Sequence, residues 1–154
     1  MLYLDLSERL HLLCGWCCSI DRNFRISQMA YDHMLGKKHQ PSYWPNEVMM
    51  YDEKELNALR EEEIKIDTVI THTAPSFCPP FIKGNMEHWS ASDENLEYDV
   101  RKERKDMNKM YQALKQQGHP LAVWCYGHFH ASERIEFEGV RFCLLDIVEL
   151  YSLF

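Results

Sequence analysis

The sequence predicts an α/β fold, and three observations predict it. Short apolar or β-branched runs, "DTVITH" (residues 67–72) and "LAVWCYG" (121–127), have the length of buried strands. Between them, residues 92–117 place Leu96, Val100, Met107, Met110, Tyr111 and Leu114 at a helical period. The last stretch, "ERIEFEGVRFCLLDIVEL", reads as a hairpin turning at Glu138 and Gly139. The chain has 154 residues, enough to bury a sizeable core as one domain, and no repeat or composition shift divides it.

Taken in order, "LYLDL" and "RLHLLCG" alternate or run apolar as two short strands joined by a polar turn at Ser7 and Glu8. "CSIDRNFRIS" is expected as a polar loop, and "QMAYDHML" as helical or irregular. The two prolines of "GKKHQPSYWPNE" mark another loop. "DEKELNALREEEIK" should form a short helix with Asp52 as its cap and acidic residues in the first turn. "IDTVITH" is a strand ending at His72, and "TAPSFCPPFIKGN" is turn and loop. In the long helix that follows, "RKERKDMNK" should cover the wet face, and Gly118 followed by Pro120 should stop it.

Seventeen basic against twenty-four acidic residues give a net charge of −7, so no global positive field favours nucleic acid or an anionic membrane, although a small basic groove is not excluded. No apolar run is long enough to span a membrane, and the start lacks a signal-peptide pattern, so a cytoplasmic protein is expected. Cys14 and Cys17 have the C-x-x-C spacing of a redox pair or half a zinc site. With no second such spacing, and with Cys78, Cys125 and Cys143 scattered, we read the six cysteines as reduced, buried thiols.

Two predicted strands end in histidine, at His72 and at His128, and His130 follows His128 with a single residue between them. In α/β folds the loops leaving strand ends gather ligand-binding groups. Neutral imidazole is the commonest side-chain ligand of transition metals. On a regular strand His128 and His130 would share a face; Gly127 is expected to permit a tight turn that re-aims them. Two ligands splayed from one loop can address two ions about 3.5–4 Å apart. His11, His33, His39, His88 and His119 lack this context and read as surface or packing residues.

"THTAP" (Thr71 to Pro75) and "GHFH" (Gly127 to His130) resemble the last two metal-binding motifs of the calcineurin-like metallophosphoesterases. "CGWCCSIDRNFR" followed by "SYWPNE" is similar to the G-G-x-x-S-I-D-(R/K) and W-W-x-x-E stretches of one bacterial and phage branch. The resemblance implies a β-sandwich flanked by helices (αββα), of which this chain would form the C-terminal half with a mixed sheet and a closing hairpin. It implies that His72 and His128 ligate one ion and His130 a second, the ions being manganese, iron, zinc or nickel. It also implies hydrolysis of phosphate esters by a metal-bound hydroxide. Asp21 and Arg22 are weaker candidates. Arg22 could hold a substrate phosphate through a forked pair of hydrogen bonds, or tie down its loop by pairing with Asp21 or Glu47, and the second role is preferred. Trp44 is read as packing.

The family's D-x-H, G-D-x-x-D and G-N-H-(D/E) motifs do not occur in this chain. These supply the first ligands and the bridging carboxylate. Residues 1–154 are therefore expected to be one partial domain, a weak or inactive phosphoesterase alone. The absent motifs would come from a separate polypeptide carrying the N-terminal half or from an upstream reading frame, intact or broken, and an open sheet edge would favour pairing or self-association. The alternatives are a non-catalytic remnant or interaction module of the same fold, or a mononuclear zinc protein of the three-histidine type.

Overall fold

The computed structural model describes the backbone of residues 2–6 and 9–13, and residues 19, 21–38, 51–80 and 86–152 in full. Strands β1 (Leu2–Leu6) and β2 (Arg9–Leu13) form an antiparallel pair, as their alternation predicts. The expected turn at Ser7 and Glu8 lies outside the described residues. So do Cys14, Cys17, Cys18, Trp44 and Glu47.

Helix α1 (Arg22–Met34) replaces much of the polar loop expected over residues 18–27. Its apolar side chains form no single stripe: Phe24, Ile26, Tyr31 and Met34 are all exposed. What fixes the helix is tertiary. Arg22 pairs with Asp93 and Asp99, and the Asn23 side chain donates to the carbonyl of Ser92 at 2.7 Å. Periodicity cannot reveal a helix held by its first turn.

Helix α2 (Glu53–Glu61) starts as predicted, with the Asp52 carboxylate accepting from the Lys54 backbone N–H at 2.8 Å. It buries Leu56 and Leu59. Strand β3 (Ile66–Thr71) follows. A short helix α3 (Met86–Ser90), which the sequence pattern did not reveal, precedes the long helix α4 (Leu96–Gln116). Helix α4 ends where Gly118 adopts φ +70°. There the N–H of His119 reaches the carbonyl of Leu114, and that of Gly118 the carbonyl of Lys115, each at 3.1 Å. This 6→1 and 5→2 pairing is the glycine-dependent stop expected of "GHP".

Strands β4 (Val123–Tyr126), β5 (Glu133–Phe137) and β6 (Val140–Leu144) complete the chain. The hairpin turns at Glu138 (φ +49°) and Gly139 (φ +76°), both left-handed, which suits a two-residue turn between twisted strands. Among the described residues the six strands form one mixed sheet in the order β1-β2-β3-β4-β6-β5. The inner strands β2, β3, β4 and β6 run parallel, while β1 and β5 are antiparallel edges. The α/β class and the closing hairpin are thus as expected, built on a single sheet among the described residues.

One face of the sheet carries the core. Val69 of β3, Trp124 and Tyr126 of β4, and Phe142 and Leu144 of β6 cluster with Leu56 of α2 and with Met107, Met110 and Leu114 of α4. Fully burying a side chain of this size contributes about 1.5–3 kcal/mol. Alternate residues point away: Thr68, Cys125 and Cys143 are buried outside this cluster. Cys78, Cys125 and Cys143 are free thiols. Burial pushes Cys78 and Cys125 up to about 12, which makes them inert packing groups, in line with their reading as reduced thiols.

Helix α4 corrects one expectation. Its "RKERKDMNK" segment is not uniformly wet, because Glu103, Arg104 and Asp106 are buried. Asp106 is covered by Lys102 at 3.3 Å and Lys109 at 2.7 Å. Arg104 faces the loop after β3. No helix among the described residues is long and apolar enough to cross a membrane.

Candidate functional site

Parallel pairing brings the two histidine-bearing strand ends together. Thr71 of β3 lies opposite Tyr126 of β4, so the chain leaves both strands at the same edge of the sheet, with His72 and Gly127 as the next residues. The two rings meet there. His72 Nε2 lies 3.0 Å from His128 Nδ1, and the ring centroids are 4.6 Å apart in an edge-on arrangement. Both side chains are half-buried.

His130 is exposed, and no hydrogen bond or ring contact joins it to the other two among the described residues. The expected role of Gly127 also needs correction. Its φ is not left-handed, and a Cβ there would meet only the Leu145 carbonyl oxygen at 3.8 Å, an ordinary contact. The re-aiming falls on the histidines themselves, His128 at φ +72° and His130 at φ +51°. Each left-handed non-glycine residue costs roughly 1–2 kcal/mol. Such strain is commonest where a side chain must be presented in a set direction.

The loop of His72 is locked from every side. Trp124 Nε1 donates to Thr71 Oγ at 2.8 Å, and the same hydroxyl donates to the carbonyl of Thr73. Tyr126 donates its hydroxyl to the carbonyl of Pro79 at 2.7 Å. The Asn108 side chain accepts from the Ser76 backbone N–H and donates to Ser76 Oγ, both at 2.8 Å. Arg104 supplies the remainder: Nε to Ala74 O at 3.3 Å, Nη1 to Pro80 O at 2.7 Å, and Nη2 to Pro75 O at 2.9 Å and Cys78 O at 2.5 Å. Buried carbonyls need partners, and those of Thr73, Ala74, Pro75, Cys78, Pro79 and Pro80 have them here.

The sequence reading did not anticipate Arg104, yet a signal was present. Counted along the helix, it stands four residues after Val100 and three before Met107, on the apolar stripe itself. A charged residue in a stripe position is a buried polar group in search of partners.

Arg22 is bound by two carboxylates, of Asp93 and Asp99. Its Nε and Nη2 fork onto Asp93, the latter at 2.9 Å, and Nη1 reaches Asp99 at 2.7 Å. These bonds hold the Asp93 carboxyl below the usual carboxylate range, against the opposing effect of burial. Asp93 and Asp99 are thus partners of Arg22 that the sequence reading did not name, while Glu47, one of the two expected partners, lies outside the described residues. Asp21 instead accepts from Arg25 at 2.8 Å and Ser19 at 2.5 Å. Burial opposes its ionisation, but those bonds keep its carboxyl below the ordinary value.

The other described histidines behave as surface or packing groups. His33 and His88 are exposed. His119 is buried, and its Nδ1 accepts from the Ile66 backbone N–H at 3.1 Å, which closes the start of β3. Burial, with Lys65 nearby, lowers its pKa.

The donor chemistry can be tested against a cation. Two ring nitrogens bound to one ion at about 2.0–2.1 Å lie about 2.8–3.4 Å apart for octahedral or tetrahedral angles. The observed 3.0 Å matches a pair of adjacent ligands. Among the described residues no cluster of three or more His, Cys, Asp or Glu side chains is disposed to hold a metal. The pair therefore fits part of one ion's ligand set. No family model matches the chain, and no curated protein matches it.

Proposed function

We propose that the chain is the histidine-bearing part of a calcineurin-like metallophosphoesterase, a hydrolase of phosphate esters. In this reading His72 and His128 hold one divalent transition-metal ion, and His130 serves a second. The observation that carries it is the meeting of His72 Nε2 and His128 Nδ1 at 3.0 Å, from two strand ends 56 residues apart in the chain. The mixed α/β sheet, with a helix between the two histidine strands and a closing hairpin, agrees with the resemblance of "THTAP" and "GHFH".

When bound, such cations lower the pKa of water and offset charge on phosphate oxygens. The chain's own residues supply neutral nitrogen donors and a fixed pose for them. Left-handed backbone at 128 and 130 turns the second loop outward, leaving His130 exposed and free to face a ligand. Residues 1–154 carry no D-x-H or G-D-x-x-D motif, so in this reading the carboxylate ligands lie outside them, upstream in the same frame or on a separate polypeptide, and residues 1–154 alone are weakly active or inactive. The substrate is a phosphate ester of unassigned class.

Metal titration tests the reading. The chain should take up manganese or zinc, and His72→Ala and His128→Ala should each lower the affinity at least tenfold. Uptake that neither substitution alters would overturn it. A second reading, the non-catalytic remnant, is favoured by one feature of the same contact: 3.0 Å is also the length of a direct N–H···N hydrogen bond between two neutral imidazoles. In that case the chain takes up no metal, even when mixed with a polypeptide carrying the missing motifs.

A further inference from the structure

Arg104 touches both loops of the histidine pair. Its N–H groups bind the carbonyls of Ala74, Pro75, Cys78 and Pro80, which follow His72. Its guanidinium carbon lies 5.5 Å from the centroid of Phe129, the residue between His128 and His130. Phe129 in turn packs its ring edge-on against His128, centroids 5.4 Å apart, and against Tyr126 at 6.3 Å. Helix α4 thus places one planar cation with its N–H rim on the first loop and its guanidinium group against the ring of the second.

From this juxtaposition we infer that Arg104 is the positioning residue of the His72–His128 pair, setting the separation of the two loops that carry the imidazoles. This rests on the reading of those two histidines as the working pair, but not on the presence of a metal. The chemistry requires arginine. Five N–H donors in a rigid plane reach carbonyls spread from residue 74 to residue 80, whereas a lysine ammonium is a single point with three donors. The guanidinium also stacks on or faces an aromatic ring, which a strongly hydrated ammonium does less well. With Arg104 at 7 % exposure and its hydrogen bonds among the described residues all directed to carbonyls, its charge is absorbed by peptide dipoles instead of a carboxylate. Burial lowers its pKa, consistent with a cation kept for its geometry.

The test reads the pair directly in metal-free, chelator-treated chain labelled with nitrogen-15. A scalar coupling across the N–H···N contact between His128 Nδ1 and His72 Nε2 should be seen in the natural chain. In Arg104→Lys that coupling should be lost, while the amide resonances of β4 and β6 keep their positions. Arg101→Ala, on the exposed side of the same helix and paired with Glu97 among the described residues, should retain it. If Arg104→Lys fails to fold, Phe129→Leu decides: it leaves the carbonyl bonds intact, removes the ring, and should also abolish the coupling. Retention of the coupling in a folded Arg104→Lys, or in Phe129→Leu where that variant decides, overturns the assignment, as does its absence from the natural chain. Because no metal is present, failure of the phosphoesterase reading leaves these outcomes unchanged.

Discussion

The two loops that deliver the imidazoles are built on opposite principles. The loop after β3 is a polar lattice: Thr71, Tyr126, Asn108 and Arg104 bind its backbone, and Trp124 holds the Thr71 hydroxyl. The loop after β4 has no backbone-to-backbone hydrogen bond within residues 127–131 among the described residues, and two of its residues hold left-handed φ. It is supported by the rings of Phe129 and Tyr126 and by its junctions with β4 and β5. One imidazole is therefore held by bonds that are expensive to break, the other by a backbone that stores strain.

The largest way to break that contrast is Arg104→Met. It removes the donors from four carbonyls of the first loop, and leaving buried polar groups unpaired costs about 1–3 kcal/mol each. A loss of roughly 3 kcal/mol or more is expected by urea denaturation. A loss under about 1 kcal/mol would show that the first loop holds itself. Thr71→Val comes next. It keeps the side-chain shape but strips the acceptor from Trp124 Nε1 and the donor from Thr73 O. About 1–3 kcal/mol should disappear, with the indole N–H exchanging faster with solvent.

The second loop should respond in the opposite direction. His128→Gly removes left-handed strain of roughly 1–2 kcal/mol, set against a glycine entropy term of about 0.5–1 kcal/mol. Thermal denaturation should show a small gain in stability even though the imidazole is lost. Gly127→Ala should lie within about 0.5 kcal/mol of the natural chain, since the added methyl group has room. A larger loss at 127 than at 128 would restore the glycine-hinge expectation and end the contrast.

The smallest effect lies outside both loops, at His119, whose pKa is lowered by burial. Below the unfolded value of about 6.5, the unfolded chain binds more protons at this ring than the folded one does. Its contribution is therefore full above about pH 6.5 and lost as pH falls through the folded pKa. His119→Asn, which retains an acceptor near the Ile66 N–H, should flatten the acid side of the stability profile. An unchanged slope would remove the ring from that account.

Much of this was legible along the chain. "IDTVITH", "DEKEL" with its Asp52 cap, the Gly118 stop and the Glu138-Gly139 turn each carry a local rule that the structure obeys. The histidines were legible as candidates because both follow apolar runs. Helix α1 was not, since its bonds to Asp93, Asp99 and Ser92 span about 70 residues. Arg104 was passed over because its neighbours Lys102 and Lys105 are truly exposed. Composition averages over a helix face; position on the stripe does not.

Sequence by itself determined most of the strands and helices, α1 and α3 excepted, because caps, turns and periodicity are short-range preferences of backbone and side chain. It also determined that imidazoles stand at two strand ends. Tertiary structure decided that β3 and β4 lie side by side and parallel, and only this brings His72 against His128 while His130 stands apart in solvent. Pairing between distant strands depends on the whole core closing at once, and no local pattern encodes that.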